Sequence, residues 1–146
     1  METNFHFDLI NFEMKTLCCI AIFCSNALHA QLAVTVSPPK VVNQKAVVQL
    51  TMKNNFTKNV ESARAACFLL DEHGKMVGQS AQWVIGQNKT GLEPSATNTF
   101  NFVMTSRDQP FMTTNLTANV SFSRVILSGG KLADPQKDVT ITQKMQ

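Results

Sequence analysis

Between Lys45 and Asn54 the chain reads KAVVQLTMKN, in which Ala46, Val48, Leu50 and Met52 alternate with Val47, Gln49, Thr51 and Lys53. Successive side chains of a strand point to opposite faces, so one apolar parity over ten residues specifies a strand lying with one face on a core. A helix would scatter the same residues around its circumference. The pattern recurs after Gln31, helical periodicity does not, and the chain is therefore expected to be all-β.

Six further segments read as strands. QLAVTVS is stopped by Pro38-Pro39, which donate no ladder hydrogen bonds, and is expected at a sheet edge. VESARAACFLLD turns apolar on both faces near its end and is expected to be central. KMVGQSAQWVIG is weaker, is interrupted by Gly78, and offers Trp83 with Ile85 or Val84 to the core. TNTFNFVMTS sets Phe100, Phe102 and Met104 on one face as core pillars. LTANVSFSRVILS changes apolar parity between Phe122 and Val125, which calls for a bulge near Ser123 or Arg124. GGKLADPQKD reads as a turn-rich loop, and VTIT as a short last strand. About seven strands at this spacing predict an immunoglobulin-like two-sheet β-sandwich, with an eight-stranded barrel as the alternative.

The first thirty residues follow different rules. From Met14 the chain runs MKTLCCIAIFCSNALHAQ: one Lys, an apolar run from Leu17 to Cys24, then small and polar residues to Ala30. This is the layout of a secretory signal peptide over 14–30, cleaved after Ala30 with Ala27 as the second choice, and its apolar run falls short of the roughly 20 residues that span a bilayer. Residues 1–13 carry Glu2, Asp8 and Glu13 and no Lys or Arg, the wrong sign for such a leader. They are expected to be a misassigned extension before a start at Met14, leaving 31–146 as a single domain. A retained signal anchor is the competing arrangement. No small residue precedes Cys18, Cys19 or Cys24 in the manner a lipid-anchor site requires.

Removing the leader changes the cysteine and charge arithmetic. Three of the four cysteines fall within it, so Cys67 stands alone and no intrachain disulfide is open to the domain. Lys15 is one of the 13 Lys and Arg, and Glu2, Asp8 and Glu13 are three of the 10 Asp and Glu, so residues 31–146 hold 12 against 7, a formal +5. These charges are scattered rather than gathered into a basic stripe, which argues against nucleic acid as a partner.

A family likeness accompanies this reading. The order NQKAVVQLTMKN, a strand ending CFLLDEHGK, a Phe-x-Phe strand and a long late strand resembles the FxLYD-type and related immunoglobulin-like modules of exported prokaryotic proteins. Cys67-Phe68-Leu69-Leu70-Asp71 lines up with the family's Phe-x-Leu-Tyr-Asp, Leu69 and Asp71 matching while Cys67 and Leu70 replace the aromatics. The resemblance implies a secreted β-sandwich module with no common catalytic activity.

Asp71-Glu72-His73 followed by Gly74 reads as a hairpin loop, with Asp71 opening the turn and Gly74 supplying a positive φ. Cys67 lies in an apolar strand, where burial raises a thiol pKa and makes it inert. No Gly-x-Ser-x-Gly turn, phosphate loop or placed carboxylate pair occurs, so the chain is expected not to be an enzyme and to need no cofactor. The alternative is periplasmic copper binding by His73 with the thioethers of Met76 and Met112, and Met104 as a further ligand. Asn55, Asn88, Asn115 and Asn119 head Asn-x-Ser/Thr triplets, read as chance products of an Asn- and Thr-rich surface. Phe111-Met112, in the loop RDQPFMTTN, is the apolar pair expected at a contact surface. The sequence thus predicts an exported, non-enzymatic module that meets an envelope or extracellular protein, through loop ends or by strand addition, with no membrane span after cleavage.

Overall fold

The computed structural model describes residues 31–88, 90–105, 111 and 115–145. Its strands are β1 (Leu32–Val36), β2 (Lys40–Val42), β3 (Lys45–Asn54), β4 (Val60–Leu70), β5 (Met76–Ile85), β6 (Thr97–Thr105), β7 (Thr117–Leu127), β8 (Lys131–Ala133) and β9 (Val139–Gln143), with one helical turn, α1 (Pro135–Asp138), before the last. They form a two-sheet β-sandwich: a five-stranded sheet in which β3 lies between β6 and the β1–β2 segment, with β9 outside β1, and a four-stranded sheet ordered β5-β4-β7-β8. The leader, its cleavage after Ala30, the 1–13 extension and Met112 lie outside the described residues. No helix among the described residues is long and apolar enough to cross a membrane.

Nine strands stand where about seven were expected, for two local reasons. Pro38-Pro39 interrupts the first strand without ending it: β2 resumes on the same edge of β3, Lys40 opposite Val47 and Val42 opposite Lys45. Ser37 bridges the break, donating its N–H to the Gln49 carbonyl at 2.9 Å and accepting the Gln49 N–H on its Oγ at 3.0 Å. The late loop, likewise, contains β8 before the chain crosses to the other sheet. Asp134-Pro135 starts α1, the Asp134 side chain accepting from the Gln136 N–H at 2.9 Å, and this single turn swings the chain away from β8.

β1 is not the edge strand that the prolines suggested. It runs antiparallel to β3 and parallel to β9, so its N–H groups are paired on both sides before Pro38 is reached. Its inward residues Leu32, Val34 and Val36 are fully buried.

The core fills the space between the sheets. Val48, Leu50, Met52 and Phe102 project from the five-stranded sheet, each contributing about 2 kcal/mol by burial. The facing row of β4 is small, Ala63, Ala65 and Cys67, so bulk on one sheet meets space on the other. Phe100 is half-buried and meets Phe102 edge to face at 5.2 Å. β5 continues through Gly78, and Val84 and Ile85 both enter the core while Trp83 turns outward. The bulge expected in β7 is present: Phe122 opposes Ala65 and Arg124 opposes Arg64, leaving Ser123 as the extra residue.

Candidate functional site

Glu72–Gly74 is a three-residue hairpin loop, closed by Asp71 and Lys75, that joins β4 to β5. The Asp71 carbonyl accepts the Gly74 N–H at 3.0 Å, the Asp71 N–H reaches the Lys75 carbonyl at 2.9 Å, and Gly74 takes φ +76°. The Asp71 carboxylate accepts the backbone N–H groups of Lys75 and His73, both at 2.9 Å. Those bonds, the Lys75 one first, hold its pKa below the ordinary carboxylate value. His73 is exposed, its Nε2 3.6 Å from Glu72 Oε1, and Met76 is exposed at the start of β5. Among the described residues no three His, Cys, Asp or Glu side chains converge.

Cys67 is fully buried in the middle of β4, and burial pushes its thiol from the ordinary 9.0 to about 11. Met104 is buried on β6. Phe111 is half-buried and packs on the core, its ring 3.8 Å from where a Cβ on Gly78 would stand. A shallow cleft of about 290 Å³ lies beside β8, but its carboxylate, Asp138, is engaged in accepting the Asp134 N–H at 2.8 Å.

Two surfaces emerge from the register. The first is an edge. β8 pairs only with Val125–Leu127, so among the described strands nothing lies beside Thr117–Arg124 on that side of β7. Side-chain burial varies along this strand, and Ala118 on the stretch away from β8 is buried. Val125 and Leu127, next to β8, are buried, whereas Val120 and Phe122, on the same inward face, stay half-exposed. Val139 and Ile141 of β9 are half-exposed in the opposite sheet, and Gln143 Nε2 ties β9 to β7 by donating to the Ala118 carbonyl at 2.8 Å.

The second is the outer face of the four-stranded sheet. Arg64 of β4 stands directly opposite Trp83 of β5 and directly opposite Arg124 of β7. Residues so paired share a face, and like charges there repel. Each neighbour strand carries an extra residue at this level, Val84 in β5 and Ser123 in β7, and bulges re-aim the side chains beside them. Both arginines are exposed, and among the described residues neither has an ion-pair partner. The next row on this face is Ala81-Ala66-Ser121 and the one after it Gln79-Phe68-Asn119. A floor of small side chains thus lies between two walls, about 13 Å apart at two strand periods.

One structural centre had no clear sequence signal. Asn54, at the end of β3, is fully buried; its Nδ2 donates to the Leu92 and Lys58 carbonyls at 2.7 and 3.0 Å, and its Oδ1 accepts the Phe56 N–H at 2.9 Å. Its main chain pairs with Ala96 and Ser95. The loop after β3 and the loop before β6 are thereby fastened together. In the sequence Asn54 is one of two adjacent asparagines in a segment that reads only as a turn.

The fold defines the class: a two-sheet β-sandwich with an all-β core. No family model matches the chain, and no curated protein matches it in sequence. Among solved structures it is similar to IrmA from Escherichia coli, 8% identical with a TM-score of 0.52, over 79% of this chain and 93% of that one. The ApaA protein from Bordetella pertussis is 13% identical with a TM-score of 0.48, over 70% of this chain and 84% of that one. The likeness to IrmA is one of fold.

Proposed function

We propose that this is an exported, non-enzymatic β-sandwich that binds a protein partner in the cell envelope or outside the cell, the partner adding a strand beside β7. The observation that carries this is the variation along β7: inward residues are buried where β8 covers the edge, half-exposed at Val120 and Phe122 where no described strand does, and buried again at Ala118, whose carbonyl Gln143 engages. An extended segment laid there gains main-chain bonds to β7 and covers Val120, Phe122, Val139 and Ile141 with its own alternate apolar side chains. An uncovered strand edge is otherwise a liability for aggregation, which proteins avoid by covering or charging it. Export rests on the leader-like segment 14–30, and the FxLYD-type likeness at Leu69 and Asp71 supports an envelope module of this kind.

Photo-cross-linking in the native host tests it. A benzoylphenylalanine placed at Val120 or Phe122 is expected to capture one discrete partner, and the same probe at Val103, exposed on β6, is not. Equal capture at Val103, or none from either β7 position, counts against strand addition. The N-terminus of the exported protein is expected to be Gln31, and a protein retaining residues 14–30 contradicts the export half of the proposal.

A further inference from the structure

We infer that the outer face of the four-stranded sheet binds an acidic saccharide, a sugar ring carrying a phosphate, sulfate or carboxylate. This surface is separate from the β7 edge and does not depend on it. Two exposed arginines held opposite each other without a described carboxylate partner are an unfavourable arrangement in the free protein. A bound anion converts that repulsion into two charge-assisted contacts, because each guanidinium presents a planar fork matched to oxyanion geometry. Across the three rows, Trp83-Arg64-Arg124, Ala81-Ala66-Ser121 and Gln79-Phe68-Asn119, there is no Asp or Glu to compete for the arginines or to repel the ligand.

The rest of the face selects a ring over a bare ion. Trp83, 37% exposed, offers an indole plane beside Arg64 on which the apolar face of a pyranose can stack. Ala81, Ala66 and Ser121 leave a floor low enough for a ring to lie down. Gln79 and Asn119, on either side of Phe68, supply amide donors and acceptors of the kind that sugar hydroxyls require. The geometry is set by the backbone: without the extra residues Val84 and Ser123, the alternation of β5 and β7 would carry the side chains beyond the bulges to the opposite faces of the sheet.

Trp83 is the one tryptophan in the chain, so its fluorescence reports on this face alone. Protein purified from cells expressing the full chain is titrated with a heparin tetrasaccharide, tri-galacturonate, neutral cellotriose, inorganic phosphate, a phosphoserine peptide and phosphatidylglycerol vesicles. A saturable change in Trp83 emission is expected with one or both acidic saccharides, weakening as salt is added, and not with cellotriose. Arg64→Gln and Arg124→Gln are each expected to weaken binding about tenfold or more, and Ala66→Leu to abolish it by filling the floor while both charges remain. The variants lie on the outer face of the sheet, and a cooperative unfolding transition with a midpoint no lower than that of the wild type confirms that they fold. The inference is overturned by cellotriose binding as tightly as the acidic sugars, by saccharide binding that survives both arginine variants, by no response to either acidic saccharide, or by a response to phosphate, phosphopeptide or vesicles as strong as the response to saccharide.

Discussion

Asn54 and Arg64 sit on consecutive strands, and the fold treats their polar groups in opposite ways. Around Asn54 each donor and acceptor of the side chain has a partner, and the amide is sealed from solvent. Around Arg64 a like charge is placed directly opposite and no described carboxylate relieves it. A buried amide left unpartnered is costly, so the first arrangement is what stability selects. The second leaves a modest stability gain unused on a surface where almost any acidic residue at position 124 would supply it. That difference separates a region that holds the sandwich together from the face to which the saccharide is assigned.

The largest expected effect lies on the Asn54 side. Asn54→Ala strands the Lys58 carbonyl and the Phe56 N–H and leaves the Leu92 carbonyl with the Val60 N–H alone, and is expected to cost about 3 kcal/mol in urea unfolding. Trp83 emission in the folded state should not change. Gly91→Ala tests the same junction sterically: a Cβ would stand 2.6 Å from the Val60 carbonyl and 2.7 Å from Asn59 Oδ1, so a loss of about 2 kcal/mol is expected. If either variant is neutral, the loops are not fastened as described.

Cys67 gives a pH-dependent measure of the core beneath the four-stranded sheet. The folded thiol keeps its proton to about 11, whereas an unfolded thiol releases it near 9.0. Ionisation therefore favours the unfolded chain as pH rises from 9 to 11, with no contribution below that window, and the loss is on the order of 2 kcal/mol. Unfolding curves across this range should show the decline, and Cys67→Ala, though less stable at neutral pH, should lack that component of it.

Much of the fold was legible because alternation is a local signal. KAVVQLTMKN, the β4 strand and the Asp71–Gly74 hairpin each carry their own pattern, and the parity change between Phe122 and Val125 located the β7 bulge. Trp83 was harder. In Trp83-Val84-Ile85 three apolar residues follow one another, and only the β4 register shows that the bulge takes Val84 and Ile85 inward and leaves Trp83 outside. The interior position of β1 depends on β9, a contact between the two ends of the domain that Pro38-Pro39 gives no hint of. β8 was hidden because three residues are too few to show a period. Arg64 and Arg124 looked scattered in the sequence, since what brings them together is long-range pairing rather than spacing. Asp71-Glu72-His73, adjacent in sequence, proved to be joined by turn geometry.

The smallest predicted effect bears most directly on the contrast between the two regions. Arg124→Glu turns the repulsive cross-strand pair into an opposite-charge pair on an exposed face, and is expected to raise stability by about 0.5 kcal/mol. Urea unfolding of this variant at low salt, beside the wild type, should show a higher midpoint with an unchanged slope, and the gain should shrink as salt is added. A midpoint equal to or below that of the wild type at low salt would mean that Arg64 and Arg124 already contribute to stability where they stand, and would contradict the claim that this face holds charge in reserve for a ligand.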